Sequence, residues 1–468
     1  MKAMSPAEKR SFMLETPVNR LIPKMALPTI VAMLITSIYH LADTFFVSKL
    51  GTYATGAVGV NGAIDQLIMM AGTLVSMGSS SFVSRLLGAK EDTHGQQVFN
   101  TCFFLSFLLG IVVMLAGMLW QDPILRMLGA SENLMPYSKD YCRYVLLAAP
   151  FLASSFVMNQ CLRAEGNATL AMIGMGFGGL LNVALDPLFI FTFGWGVAGA
   201  SAATALSKLV SWVILIVPYL KKRTLLRLSP KYIHPTWMDT KEVCFMGSAA
   251  FFRTGLATLA SIVLNKVSIL YGESALAAIS VANRVTMFLT SACLGFGQGF
   301  QPVAGFSWGA GEYPRIREAY RFSQTVCIVG ITILGTIVFV LARPILLLFT
   351  EDDAELVRIG VICLRAQCLA LPVHGFAIIV NMMCVGIGQA RGAVLIGLGR
   401  QGICFYPILP ILTYFFKVWG IACLQGDADL FTFILTIPIA RSCMKLIAER
   451  EKEAASLAAA PTDTQSAN

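Results

Sequence analysis

Charged residues are scarce in this sequence. Only 13% of its 468 residues are Asp, Glu, Lys or Arg, and the mean hydropathy is +0.71. Soluble globular proteins carry about 25% charged residues. This shortage excludes an ordinary soluble domain, and it makes lipid the expected solvent for most of the chain.

Motifs for catalysis and for metal binding are missing as well. The sequence has no P-loop, no GxSxG elbow and no CxxC pair, and its four histidines are scattered. Its twelve cysteines lie almost all within apolar runs, as buried apolar side chains do. We therefore expect no enzymatic activity, no metal, no cofactor and no direct use of ATP.

Apolar runs of about twenty residues, long enough to cross hydrocarbon as helix, recur along the whole sequence. Their number predicts an all-α membrane protein with twelve transmembrane helices. The predicted spans lie near residues 25–48, 54–85, 95–120, 140–163, 168–193, 196–220, 240–270, 274–308, 316–343, 356–386, 391–416 and 426–447.

The distribution of basic residues predicts the orientation. Residues 1–24 are polar and basic and lack a cleavable signal, and the linker 221–239 carries Lys221, Lys222 and Arg223. The positive-inside rule places both segments, and with an even number of spans both termini, in the cytoplasm. Basic charge in short loops beside spans favours orientation over nucleic-acid binding. Residues 448–468, rich in Ala, Glu and Ser, are predicted to form a disordered tail.

The sequence also matches itself at a nearly constant shift. A shift of 221 residues aligns Gly51 with Gly272, and a shift of 222 aligns Asn159 with Asn381. We infer two pseudo-symmetric six-helix lobes of the same orientation, an N-lobe at 25–220 and a C-lobe at 240–447.

Two intramembrane aspartates break this symmetry. Asp43 aligns with Leu264, and Asp186 aligns with Tyr406 or Pro407. A charge at bilayer depth costs at least about 2.5–3.5 kcal/mol and is usually retained for a partner, a water cavity or an ion pathway. The acidic chemistry is therefore expected in the N-terminal half, as a site for a coupling ion or a substrate, with the capping of a broken helix as the alternative.

Helical spacing supplies neighbours for these aspartates. Thr36, Tyr39 and His40 share the face of Asp43, and Asn182 lies one turn before Asp186. Thr204 lies in the next span, 196–220, near the same level. Methionines such as Met69 and Met287 would suit an adaptable pocket, although packing explains them equally well. Other ionisable residues in or near spans could pair or reach the interface: Asp65, Lys208, Arg253, Lys266, Arg284 and Arg365.

Four segments carry a family resemblance: residues 42–47 (ADTFFV) followed by Leu50-Gly51, 163–168 (RAEGNA), 182–187 (NVALDP) and 196–204 (GVAGASAAT). They resemble the MATE (multidrug and toxic compound extrusion) transporters, in particular their MepA-like and DinF-like bacterial branch, over about residues 20–447. The resemblance implies a V-shaped fold in a bacterial inner membrane and the export of drugs or metabolites in exchange for H⁺ or Na⁺. We expect a monomer.

The resemblance also assigns residues. The family's cation site falls on Asp43, Asn182, Asp186 and Thr204, and Pro28 matches the proline about which the first helix is proposed to bend. The family branch with acidic ligands in the C-lobe is not matched, because Asn265 and Asn381 stand there instead. A flippase for lipid-linked saccharide precursors is the alternative function, and it would use Arg253, Arg284 and Arg365.

Overall fold

The computed structural model describes residues 6–349 and 353–459, and α-helices dominate it. Two π-helical turns, Leu188–Thr192 and Gly399–Ile403, and a 3-10 turn, Pro230–Tyr232, interrupt or join the helices. The helices are α1 (Pro6–Glu15), α2 (Val18–Ser48), α3 (Thr52–Gly88), α4 (Asp92–Leu119), α5 (Gln121–Met127), α6 (Met135–Ala164), α7 (Ala168–Pro187), α8 (Gly196–Leu220), α9 (Trp237–Ile269), α10 (Glu273–Gly309), α11 (Tyr313–Val340), α12 (Ala342–Leu347), α13 (Ala354–Gly386), α14 (Ala390–Leu398), α15 (Phe405–Phe416) and α16 (Val418–Ala459).

The predicted transmembrane spans are confirmed. Within the described residues, twelve helices are long and apolar enough to cross a membrane. Two helices begin well before their predicted spans. The first predicted span starts at residue 25 and the last at residue 426, whereas α2 begins at Val18 and α16 at Val418. The prediction of a disordered tail is wrong for residues 448–459, which extend α16; residues 460–468 lie outside the described part of the chain.

The N-terminal segment forms its own helix, α1, which is tied to both halves of the molecule. Lys9 Nζ lies 3.2 Å from Glu165 Oε2 at the end of α6. Arg315 Nη2, at the start of α11, donates to the carbonyl oxygens of Met13 (2.9 Å) and Thr16 (2.6 Å). This segment therefore packs against the bundle instead of trailing from it.

The internal repeat appears in the backbone. Helices α3 and α10 are both 37 residues long, and each follows a glycine with positive φ, 107° at Gly51 and 112° at Gly272. A matching hydrogen bond recurs later in each half. Asn159 Nδ2 donates to Ala171 O (2.8 Å), and Asn381 Nδ2 donates to Ala393 O (2.9 Å). The two six-helix lobes thus share one folding pattern.

The lobes form a V. The N-lobe packs α2, α3, α4, α6, α7 and α8 together, and the C-lobe packs α9, α10, α11, α13, α14 with α15, and α16. One large apolar core spans both lobes and includes the end of the bundle that holds residues 89–91 and 310–312, which we name the closed end. At the opposite, open end, which holds residues 49–51 and 270–272, one apolar cluster belongs to the N-lobe and another to the C-lobe.

Glycines allow the lobes to touch backbone to backbone toward the closed end. A Cβ atom on Gly247 of α9 would lie 1.6 Å from Leu74 O of α3, and one on Gly78 of α3 would lie 1.9 Å from Val243 O of α9. Nearby, Arg85 Nη2 contacts Glu242 Oε1 at 2.6 Å across the same pair of helices. Small residues are what allow such close helix packing in membranes.

We predict that Gly247→Ala lowers the stability of the protein, because its methyl group would force α3 and α9 apart. The expected loss is about 1–3 kcal/mol, the usual effect of overpacking. Thermal unfolding of the purified protein would measure it, with Gly330→Ala in α11 as the matched control, because a Cβ atom there meets nothing within 4 Å. Equal unfolding temperatures for the two variants would contradict the proposed role of this contact.

Candidate functional site

A cavity of about 280 Å³ lies inside the N-lobe, between α2, α3, α6, α7 and α8. Its lining combines charged and hydroxyl groups with aromatic rings and methionines. The members that matter below are Thr36, Tyr39, His40, Asp43, Asp65, Met69, Tyr141, Phe156, Thr204 and Lys208. Such a mixture of apolar walls and a few polar groups is typical of small-molecule sites.

The α2 wall follows from helical spacing. Each of the residues Thr36, Tyr39, His40 and Asp43 is three or four positions from two of the others. They therefore share a face, and all four line the cavity. Asp43 is 9% exposed. The rings of Tyr39 and His40 lie with their centroids 4.1 Å apart. The structure thus brings together the residues of α2 that the sequence singled out.

Asn182, Asp186 and Thr204 form a hydrogen-bonded group beside this cavity. The Asn182 Nδ2 amide donates to Asp186 Oδ1 and to Thr204 Oγ1, both at 3.1 Å. Asp186 is fully buried, and Asp43 is close enough to act on it electrostatically. Thr204 lines the cavity, whereas Asn182 and Asp186 lie behind its lining.

Three oxygens in this group lack a donor. Asp43 Oδ1, Asn182 Oδ1 and Asp186 Oδ2 are buried and find no hydrogen-bond partner among the described residues. A buried acceptor without a partner costs about 1–3 kcal/mol, more when it is charged. Buried carboxylate and amide oxygens without donors are suited to binding a proton or a small hard cation.

Lys208 and Asp65 bring charges to the cavity that the sequence did not place there. Lys208 Nζ donates to Tyr39 Oη at 2.9 Å and lies 4.6 Å from the centroid of that ring. Asp65 lines the cavity from α3, and both Lys208 and Asp43 act electrostatically on Asp65. Lys208 lies one turn after Thr204 on α8, so helical spacing alone could have linked it to the site.

The remaining predicted residues lie elsewhere. Met69 lines the cavity, but Met287 lies on α10, outside the lining, and is 60% exposed. Pro28 lies in α2 toward the closed end, in a helix that runs through it without interruption. Arg365 lies over Phe339, 5.1 Å from the ring centroid, and Arg284 is exposed on α10.

The expectation that intramembrane acidic chemistry belongs to the N-terminal half is wrong, because Asp429 of α16 is buried in the C-lobe. His374 Nδ1 lies 3.0 Å and Arg400 Nε 2.7 Å from Asp429 Oδ1, and Arg253 acts electrostatically on His374. Asp429 lies near the start of the predicted span 426–447. Because α16 begins at Val418, the structure places Asp429 well inside the helix. Arg400 lies in the π-helical turn Gly399–Ile403.

We predict that Asp429→Asn destabilises the protein by about 3–5 kcal/mol, because it leaves the partly buried Arg400 guanidinium without its counter-charge. Thermal unfolding would measure the loss. The control is Arg126→Gln, which breaks an exposed pair with Glu132 and should change stability by less than about 1 kcal/mol. A loss for Asp429→Asn no larger than that of the control would show that the C-lobe cluster does not hold its helices together.

In residues 6–349 and 353–459, no group of three or more His, Cys, Asp or Glu side chains is arranged to hold a metal ion.

The twelve long apolar helices and the internal repeat define a multi-pass membrane protein of two duplicated lobes. One lobe contains a polar cavity, and the other contains a paired charge cluster.

The MatE family model matches residues 28–188 and 249–415, and the chain belongs to this family. Among its relatives, the multidrug export protein MepA of Staphylococcus saprophyticus is 26% identical over 85% of this chain and 87% of its own length. MepA of Staphylococcus aureus strain MRSA252 is 27% identical over 87% of this chain and 90% of its own.

Solved structures share the fold. A crystal structure of a MATE protein in complex with MaL6 superposes with a TM-score of 0.90 at 23% identity, over 94% of this chain and 99% of that one. The outward-facing conformation of a multidrug resistance MATE transporter superposes with a TM-score of 0.89 at 24% identity, over 96% and 100%. The V-shaped, two-lobed fold predicted for the chain is thereby confirmed.

Proposed function

We propose that this protein is a secondary active exporter that moves cationic or amphipathic small molecules in exchange for inward H⁺ or Na⁺. The observation that carries the proposal is the group of three buried oxygens without donors, on Asp43, Asn182 and Asp186, beside an apolar cavity. Such a group gains from binding either a proton or a cation, and a competition between the two is what antiport requires.

The orientation proposed for the cycle follows from charge. Basic residues of the linker, such as Lys221, Lys222 and Arg223, and those of α1 lie at the closed end. With the positive-inside rule, that end faces the cytoplasm and the cavity opens outward. The state described is then the one from which a substrate leaves.

In the proposed cycle, the cytoplasmic-facing protein takes up a cationic substrate while Asp43 and Asp186 are ionised. After the lobes rock to the outward-open state, an external H⁺ or Na⁺ neutralises the carboxylates and the substrate loses its counter-charge. Bending of α2 near Pro28 would then favour the return, because a proline removes one backbone hydrogen bond from the helix. The membrane potential contributes about 2.3 kcal/mol per 100 mV for each net charge moved inward, so it drives export when the inward charge exceeds that of the substrate, and the concentration gradient of the ion drives an electroneutral exchange.

The names of the relatives support export, since both MepA proteins are described as multidrug export proteins. A flippase for lipid-linked saccharides would need arginines gathered around a phosphate. Arg365 instead lies over Phe339, while Arg253 acts on His374 within the C-lobe cluster. The surroundings of these arginines therefore favour the exporter.

We predict that ethidium efflux from proteoliposomes is driven by an imposed pH or Na⁺ gradient in the wild type and falls at least tenfold in Asp43→Asn and in Asp186→Asn. Each substitution removes a carboxylate that the coupling ion must neutralise. Ethidium fluorescence would be followed under each gradient applied separately, which also identifies the ion.

The control is Asp140→Asn, an exposed aspartate at the start of α6, which should transport like the wild type. Gradient-driven efflux that persists in both site variants would contradict the assignment of Asp43 and Asp186 as the residues that bind the coupling ion. Wild-type protein that exports under neither gradient would argue against the exporter, and rescue of a flippase-depleted strain would then establish the alternative.

A further inference from the structure

Three charged side chains line the N-lobe cavity: Asp43 from α2, Asp65 from α3 and Lys208 from α8. The other titratable groups that face it are His40, Tyr39 and Tyr141. With all three charged side chains ionised and His40 neutral, the lining carries a formal net charge of −1. Asp186 stands behind the lining and is engaged by Asn182, so it adds no contact to a molecule in the cavity, and its charge is the same in every variant considered below.

Asp65 and Lys208 are not joined to each other directly. The polar partner of Lys208 is the Tyr39 hydroxyl, at 2.9 Å, although Asp43 and Asp65 are both near enough to act on it electrostatically. Among the described residues, Asp65 has no hydrogen-bond or ion-pair partner. The two groups therefore act on the contents of the cavity through their charges, across its width.

We propose that Asp65 and Lys208 form a fixed pair of opposite charges that sets the affinity of this cavity for organic cations. Their charges cancel, so the carboxylates of Asp43 and Asp186 decide whether the cavity attracts a cation. When Asp43 is ionised, the lining carries a net charge of −1 and attracts an organic cation. When the coupling cation neutralises Asp43, the net charge of the lining is zero and the attraction falls. The inference rests on the proposed function and assigns two further residues that determine its cation affinity.

This arrangement predicts a different change in ethidium affinity for each of three variants. Asp65→Asn should weaken ethidium binding, because the lining becomes neutral while Asp43 is ionised. Lys208→Met should strengthen it, because the net charge becomes −2. The double variant Asp65→Asn/Lys208→Met should return to nearly wild-type affinity, since its net charge is again −1. A residue that acted by direct contact would not be rescued in this way.

The expected changes are about fifteen- to thirtyfold in Kd for each single variant, the effect of one unit charge about 8–10 Å away at an effective dielectric constant near 20. The measurement is ethidium fluorescence polarisation with the purified full-length protein at one fixed alkaline pH. Propidium, a dication of related structure, should gain more from Lys208→Met than ethidium does.

Controls separate charge from folding. Asp65→Glu and Lys208→Arg keep the charges and should stay within about threefold of the wild type. Asp140→Asn and Lys231→Met remove exposed charges outside the cavity and should leave the Kd unchanged. Thermal unfolding of every variant identifies any that do not fold, and the charge-keeping variants then still test the proposal.

The inference is overturned if Asp65→Asn binds ethidium as tightly as the wild type, if Lys208→Met binds it more weakly, or if the double variant fails to recover. Wild-type protein that binds ethidium with this pattern but exports it under no gradient would refute the proposed function and leave the charge pair standing. Wild-type protein that does not bind ethidium at all would overturn both.

Discussion

The backbone contact between the two lobes is the constraint on which the rest of the structure depends. Gly78 and Gly247 bring α3 and α9 so close at the closed end that a single methyl group would collide with a carbonyl oxygen. In a membrane no hydrophobic effect drives helices together, so close packing has to hold the lobes. One apolar core spans the lobes at this end, whereas each lobe has its own apolar cluster at the other end.

This division decides where polar groups can lie. Toward the closed end, charged residues such as Arg85 and Glu242 pair across the lobes and tie them together. Toward the open end, the N-lobe has room for a cavity whose walls carry Asp43, Asp65 and Lys208. Intramembrane charges are retained where a partner, a cavity or an ion satisfies them, and the two ends of this molecule use different solutions.

Sequence reasoning predicted the spans, the duplication and the resemblance to the family, because apolar length and a constant shift are properties of the chain itself. It also named Asp43, Asn182, Asp186 and Thr204, which the structure brings to one side of the N-lobe. It left Lys208 among the residues that could pair or reach the interface, although the position of Lys208 one turn after Thr204 was a signal that linked it to the site. Asp429 was missed because the beginning of α16 was placed several residues too late.

The two buried acidic sites show why duplicated lobes can differ in function. In the C-lobe, Arg400 and His374 supply the counter-charge of Asp429 from within the protein, so that site has little to gain from a ligand. In the N-lobe, Asp43 Oδ1 and Asp186 Oδ2 find no donor among the described residues. Whatever neutralises them has to come from outside the fold. One lobe therefore uses its charges for stability, and the other leaves them available for exchange.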